Sequence, residues 1–145
     1  MKIIILFLLL CISCYGDNST ETNTLIIPGA SLGDYLLGIK GKSSLVNGEL
    51  ILTKEGVRVE ILPNSKKIYS LYTNSNIYHF KNKTFPIGMT KREIELIFGK
   101  GKVEAKGYLM EPGGALLTYN SGITFGIKNN KVVGVGVWQL PLKKK

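Results

Sequence analysis

The sequence predicts an α+β fold of two tandem units, each with one short helix followed by a three- to four-stranded antiparallel sheet. Three observations predict it: a well-bounded helix in the second half, a shorter copy of that pattern in the first half, and apolar segments of strand character after both. One small sheet with a single helix does not close a core alone, so the two units are expected to share a sheet or to face each other.

The best-defined element is a helix predicted within residues 87–102. Thr90 and Glu93 have the spacing of a capping box, in which each side chain accepts a hydrogen bond from the other residue's backbone N–H. The remaining signals are a hydrophobic staple (Met89 with Ile94), an apolar face (Ile94, Ile97 and Phe98) and a left-handed terminal glycine (Gly99).

Residues 29–38 repeat the signals of this helix in a shorter form. Ser31 takes the place of the cap, Ala30 and Tyr35 that of the staple, and Gly38 that of the stop. The strand-like segments 56–61 and 67–71 have counterparts at 122–127 and 131–135. These correspondences predict a first unit (25–84) and a second unit (85–145). The leader described below adds a signal peptide (1–13) and a tether (14–24).

Alternating or apolar runs bounded by turn residues predict the strands. They cover residues 49–53, 57–61, 68–72, 103–109, 116–119, 123–127 and 132–139, and residues 77–80 form either a strand or a link. Asn129 and Asn130 predict a hairpin turn. Gly134 and Gly136 inside the last strand predict a bend or a close approach of other atoms to the backbone.

The first residues have the pattern of a secretory leader that ends in a lipidation site. Lys2 precedes an apolar run that is too short to span a bilayer, which needs ~20 residues. The run ends at Ser13 and Cys14, which resembles the lipobox of bacterial lipoproteins, although Cys11 stands where leucine is usual. We therefore expect cleavage before Cys14, acylation of Cys14 (palmitate among the chains), and a polar tether up to residue 24. A plain signal peptide with incidental cysteines is the alternative.

Charge is concentrated in the body of the chain. From Lys40 onward there are 18 basic and 7 acidic residues, an excess of 11. A cationic surface favours anionic partners. The candidate binding surface combines basic and aromatic residues: Lys66, Lys67, Lys81 and Lys83, with Tyr69, Tyr72, Tyr78 and Trp138. Burial of these aromatic residues in the core is the alternative.

The predicted helix resembles that of the SmpA/OmlA (BamE-like) family, small outer-membrane lipoproteins that accompany the β-barrel assembly machinery. The matching residues are Gly88, Met89, Thr90, Glu93, Ile94, Leu96, Ile97 and Gly99, while Gly101 stands where that pattern has proline. The tandem arrangement also looks like the secreted β-lactamase-inhibitor protein fold. The resemblance implies a non-enzymatic binding scaffold with a saddle-like sheet at the outer membrane, and it assigns no contact residue.

The chain lacks the residue patterns of common catalytic and metal sites, so we expect neither an enzyme nor a cofactor or metal. Its single histidine, His79, lies in an aromatic run and is expected on a strand face. Three hypotheses of function follow. The first, based on the lipobox and the helix motif, is a lipid-anchored scaffold that binds an envelope protein in outer-membrane protein assembly or maintenance. The alternatives are a cationic module for polyanions such as lipopolysaccharide or host glycans, and a secreted hydrolase inhibitor. The expected location is the bacterial envelope, and nucleic acid is not an expected partner.

Overall fold

The computed structural model describes residues 22–40, 51–53, 56–62, 64–104 and 114–141. The predicted signal peptide, the lipidation site Cys14 and most of the tether lie outside these residues. Ten strands and one helix are described: β1 Ile26–Ile27, β2 Ser31–Leu32, β3 Tyr35–Leu36, β4 Ile51–Leu52, β5 Val57–Ile61, β6 Ile68–Thr73, α1 Lys91–Phe98, β7 Lys102–Glu104, β8 Ala115–Tyr119, β9 Ile123–Lys128 and β10 Lys131–Trp138.

The main sheet has seven antiparallel strands in the order β4-β5-β6-β10-β9-β8-β7. Its centre is the pair β6–β10, in which Thr73 lies opposite Val135 and Leu71 lies opposite Val137. A small sheet of β1, β2 and β3 accompanies it. β4 and β5 lie on the β6 side of this pair, and β9, β8 and β7 lie on the β10 side.

One face of the main sheet forms the hydrophobic core. The registers place alternate residues of neighbouring strands on this face, and all are nearly inaccessible: Val57, Val59, Leu71, Leu117, Ile123, Phe125, Val135 and Val137. Ile94 of α1 and Ile26 and Leu32 of the small sheet complete the same cluster. The Phe98 ring lies 5.4 Å from the rings of Phe80, Tyr119 and Phe125, measured between centroids. The helix and the small sheet therefore lie on the core side of the main sheet.

The predicted α+β fold class is wrong, because the described part of the chain is mainly β and contains a single helix. There are not two helix-and-sheet units. The structure instead has one continuous antiparallel sheet, in which β4 and β5 lie beyond β6 and β9, β8 and β7 lie beyond β10.

The helix predicted in residues 29–38 is absent, and β2 and β3 with two tight turns take its place. The physical reason lies in the glycines. Gly29, Gly33 and Gly38 have φ of +68°, +59° and +79°, which a right-handed helix does not allow. Gly33 stands in the middle of the segment, where a glycine costs a helix about 1 kcal/mol. The expected cap Ser31 is a buried strand residue.

The helix in the second half is confirmed. It covers Lys91–Phe98 with Thr90 as N-cap, and both hydrogen bonds of the capping box are present. Gly99 ends the helix with a positive φ, and its N–H donates to the Glu95 carbonyl. Its ψ of −172° is extended, so the cap is not the left-handed form that we predicted.

The strand predictions agree closely with the structure wherever residues are described. Asn129 and Asn130 turn the last hairpin with φ of 50° and 60°. Residues 77–80 form a link, in which His79 makes an isolated parallel bridge to Leu25. The register of β9 and β10 shifts between Val132 and Gly134, which confirms an irregularity at that glycine.

A candidate binding surface at one end of the sheet

A tight turn before β6 holds two of the predicted binding lysines on the surface. The N–H of Lys66 donates to the Leu62 carbonyl, and the N–H of Leu62 donates to the Lys67 carbonyl, both at 2.9 Å. Lys66 has a φ of 54°, a backbone conformation that lysine adopts at a cost. The turn thereby fixes Lys66, Lys67 and Leu62 at one end of the sheet, all three exposed.

A third lysine reaches the same place from the small sheet. Lys40 forms an isolated antiparallel bridge with Lys67, and the N–H of Ile68 donates to the Ile39 carbonyl at 2.9 Å. Residues directly opposite each other in such a pair have Cβ atoms about 4.5–5.5 Å apart, and like charges there repel. The backbone therefore holds Lys40 and Lys67 as neighbours although their like charges repel each other.

Exposed apolar side chains surround these lysines. Of the eleven large hydrophobic side chains that are exposed in the described residues, six belong to this part of the molecule. They are Ile27, Leu36, Ile39, Leu62, Tyr69 and Leu140, each between 36% and 49% exposed. We call this set, together with Lys40, Lys66 and Lys67, the basic–apolar end.

Backbone contacts connect the members of the basic–apolar end. The N–H of Gly38 donates to the Ile68 carbonyl at 2.8 Å, which joins the small sheet to β6. The N–H of Gln139 donates to the Tyr69 carbonyl at 2.9 Å, which brings the chain after β10 to the same point. Ile27 and Leu36 both lie opposite Ser31 in the small sheet, so they share its outer face.

The three lysines have no ion pair within the described part of the chain, whose salt bridges join Lys91 to Glu95 and Lys102 to Glu104. Glu60 of β5 is occupied by another contact, because its carboxylate accepts a hydrogen bond from the Ser70 hydroxyl at 2.6 Å. Because these charges are exposed and of one sign, an anionic group would be attracted to them at little cost in desolvation.

Three predicted aromatic residues are not members of the basic–apolar end. Tyr72 is only 5% exposed and lies on the sheet face away from the core, against Gly134 of β10. Trp138 lies opposite Ser70 on that face, and its indole nitrogen is buried with no acceptor among the residues described. Tyr78 is buried in the core. Burial in the core, the alternative for these aromatic residues, thus describes Tyr78, whereas Tyr72 is buried on the opposite face of the sheet.

The other two predicted lysines lie beyond the far end of β6. Lys81 and Lys83 line a cleft of ≈ 340 Å³ together with His79 and residues 22–25. The His79 ring contacts the Phe85 ring at 5.2 Å, and its Nδ1 lies 2.8 Å from the Phe80 carbonyl. β6 spans about 17 Å at the usual rise per residue, so the structure divides the predicted surface. Lys66, Lys67 and Tyr69 lie at one end of the sheet, and Trp138 lies at the same end, opposite Ser70.

Sequence reasoning missed Lys40 and most of the apolar members of this end. They come from segments that are distant in sequence, and only the Lys40–Lys67 bridge and the chain after β10 bring them together. The signal that was available is the run from Leu36 to Lys40, in which apolar residues lead directly into a lysine. The helix prediction for residues 29–38 assigns this run to the end of a helix instead.

The titration behaviour of the described residues has structural causes. The pKa of Glu93 is lowered by hydrogen bonds from the Thr90 backbone and hydroxyl. Burial raises the pKa of Tyr119, whose hydroxyl donates to the Gly99 carbonyl at 2.9 Å.

No group of three His, Cys, Asp or Glu side chains in the described ranges is placed to hold a metal ion. Within those ranges, α1 is far too short to cross a bilayer.

The comparisons with known proteins give no relative from which a role can be transferred. A scan of protein-family models finds no match, and searches of curated proteins and of solved structures find none either. The resemblance of the helix motif to the outer-membrane lipoproteins therefore stays a prediction, and function has to be inferred from the surface itself.

Proposed function

We propose that this chain is a lipid-anchored, non-enzymatic binding module of the bacterial envelope, and that its basic–apolar end binds the anionic lipid surface beside the anchor. The observation that carries the proposal is the clustering of three lysines, none of them in an ion pair among the described residues, with six exposed apolar side chains at one end of the sheet. The expected role is to hold the folded body against the envelope in one orientation.

The combination of charge and apolar surface suits an amphiphile better than a fully polar polyanion. A lysine near an anionic membrane contributes about 1 kcal/mol of attraction. Aliphatic side chains and a tyrosine add favourable burial at the boundary between headgroups and acyl chains. Lys40, Lys66 and Lys67 supply the first contribution, and neighbours such as Ile39 and Tyr69 supply the second.

The leader supports the same location. Lipidation at Cys14 would bring the body close to a membrane, and a tether of about ten residues reaches at most ~35 Å. Double acylation at Cys14 would already attach the chain stably, so a further contact would set the orientation of the body on the membrane. The basic–apolar end is a second contact that an anchored body can make.

The experiment reconstitutes the full chain in vesicles and measures hydrogen exchange of its backbone amides. Vesicles of phosphatidylcholine alone are compared with vesicles that contain about one third phosphatidylglycerol. We expect slower exchange at residues 36–40 and 62–69 in the anionic vesicles only, and loss of this protection in high salt, because the charge contribution is screened.

The matched controls are two double variants that remove equal charge. Lys40→Gln with Lys67→Gln should abolish the added protection. Lys81→Gln with Lys83→Gln, at the other end of β6, should leave it unchanged. Equal exchange in both kinds of vesicle, or equal effects of the two double variants, would reject the basic–apolar end as a lipid-binding surface.

An envelope protein as partner is the second candidate, and a specific observation favours it. Leu96 belongs to the helix motif that resembles the outer-membrane lipoproteins, and it is 79% exposed. Cross-linking the lipidated protein in its own cells, followed by mass spectrometry, tests this candidate. A partner captured by the unchanged chain but lost with Leu96→Ser and with Cys14→Ala would support a scaffold, and the absence of any protein adduct would oppose it.

The hydrolase-inhibitor alternative depended on a tandem arrangement of helix-and-sheet units. The described part of the chain has one helix and one continuous seven-stranded sheet in place of that arrangement. We therefore do not carry the inhibitor reading further.

A further inference from the structure

The outer edge of the main sheet is formed by β7, a strand of three residues: Lys102, Val103 and Glu104. It pairs with β8 on one side, and no described strand pairs with its other side. An open edge presents backbone N–H and C=O groups that can pair with another chain.

The hydrophobic face of the sheet continues onto this edge without being covered. Val103 lies opposite Leu117, so its side chain belongs to the core face. The other valines on that face, on β5 and β10, are at most 4% exposed, whereas Val103 is 55% exposed. Apolar area at this edge is therefore left open on the same side as the core.

The two charged residues of β7 lie on the opposite face of the sheet. Lys102 and Glu104 lie opposite Thr118 and Leu116, and their side chains form a salt bridge of 3.0 Å. In sequence the strand reads positive, apolar, negative. A two-fold rotation about Val103 places Lys102 of one copy opposite Glu104 of the other, and Glu104 opposite Lys102. The strand is thus complementary to itself in antiparallel pairing.

We propose that β7 is a self-association edge, and that two copies of this chain pair through it antiparallel about Val103. The main sheets of the two copies then join, the Val103 side chains meet on the core side, and four alternating charges line the other face. The second copy is the occupant because the charge pattern matches itself. A partner strand of uniform charge would meet one of the two residues with the wrong sign. This inference does not depend on the lipid anchor or on the basic–apolar end.

Charge reversal tests the pairing, with sedimentation of the full chain in a non-ionic detergent as the measurement. Glu104→Lys places like charges opposite each other twice in the dimer, and we expect dimerisation to weaken by roughly tenfold or more. The double variant Lys102→Glu with Glu104→Lys reverses the order of charges but restores self-complementarity. We expect it to dimerise as the unchanged chain does.

A mixing experiment separates pairing from misfolding. Lys102→Glu and Glu104→Lys each give a strand that repels itself but is complementary to the other, so the two variants should associate only when they are mixed. If the unchanged chain stays monomeric at high protein concentration, or if the double variant fails to recover association while its circular dichroism spectrum is unchanged, the proposal is overturned.

A disulfide supplies a second readout. Directly opposite residues in an antiparallel pair have Cα atoms about 4.5 or 5.5 Å apart, within the range of a disulfide. Val103→Cys should therefore cross-link to itself under mild oxidation, and Leu62→Cys, an exposed position at the other end of the molecule, should not. The unchanged chain, with Cys11 and Cys14 in its leader, is the background. Equal cross-linking of both variants would contradict the proposed edge.

Discussion

At the scale of single residues, Tyr72 occupies space that side chains on two strands would otherwise fill. A Cβ on Gly134 would lie 1.8 Å from the Tyr72 Oη and 2.2 Å from its Cζ, and a Cβ on Gly126 would lie 2.7 Å from the same oxygen. Neither glycine has a positive φ, so the tyrosine ring and not the backbone conformation requires them. Glycines in β9 and β10 thereby let an aromatic side chain cover the sheet on the face away from the core.

Gly134→Ala should destabilise the fold by about 1–3 kcal/mol, because the new methyl group overlaps the ring of Tyr72 and the ring has to move. Urea denaturation of the variant measures the loss. The same substitution in a Tyr72→Leu background should cost clearly less, since the overlapping atoms are gone. If the cost is the same in both backgrounds, Tyr72 is not the reason for this glycine.

The capping box makes part of the stability dependent on pH. The Thr90 backbone N–H and hydroxyl donate to the Glu93 carboxylate at 2.7 and 2.8 Å, which lowers the pKa of Glu93 in the folded state. A lowered folded pKa stabilises the protein above the carboxyl's ordinary pKa. That contribution is lost as the pH falls through the lower, folded value.

The variant Glu93→Gln keeps a hydrogen-bond acceptor but does not titrate. We expect the unchanged chain to be more stable than Glu93→Gln at neutral pH, and the difference to disappear in the acid range below the ordinary carboxyl pKa. Thermal unfolding across that range measures it. A difference that grows as the pH falls would have the wrong sign and would exclude this explanation.

At the scale of elements, helix α1 and the segment of residues 29–38 show what local sequence can and cannot predict. The boundaries of α1 were predictable because the interactions that set them, such as the Thr90–Glu93 box, lie within a few residues. In the first half, Ser31 and Gly38 have similar spacing, but no Glu or Gln completes the box. Residues 29–38 form strands because Gly33 has a positive φ and because their backbone pairs with β6, and both depend on contacts with other segments of the chain.

The two faces of α1 should differ sharply in their effect on stability. Ile94 is fully buried, and Ile94→Ala should cost about 2–5 kcal/mol because it removes packed atoms and leaves a cavity. Leu96→Ala should change stability by no more than about 0.5 kcal/mol, because Leu96 is mostly in water. Urea unfolding of both variants checks the orientation of the helix. A large loss for Leu96→Ala would mean that this side chain is covered in solution.

At the scale of the whole molecule, the candidate surface exists only after distant parts of the chain have met. Lys66, Lys67 and Tyr69 could be predicted as members because they are adjacent in sequence. Lys40 and Leu140 could not, since their place depends on the bridge to Lys67 and on the end of β10. The strands were predictable for the opposite reason, because alternation and turn residues are local signals.

The surface should also lower the stability of the fold while nothing is bound to it. Lys40 and Lys67 face each other across a bridge, so Lys67→Gln should raise stability by about 0.2–1 kcal/mol at low salt. The gain should vanish near 1 M NaCl, where charges are screened within about 3 Å. Urea unfolding at two salt concentrations measures it, with Lys81→Gln as the control. A gain that persists in high salt would point to a cause other than repulsion.

The position of β10 has a consequence for how this chain acquires its structure. β10 is the last strand that the structure describes, yet it lies at the centre of the sheet, where Val135 pairs with Thr73 from 62 positions earlier. Until β10 has left the ribosome, the first three strands of the sheet have no neighbour across β6. We expect the two halves of the sheet to stay unpaired until then, which leaves the closure of the sheet to a single late step of folding.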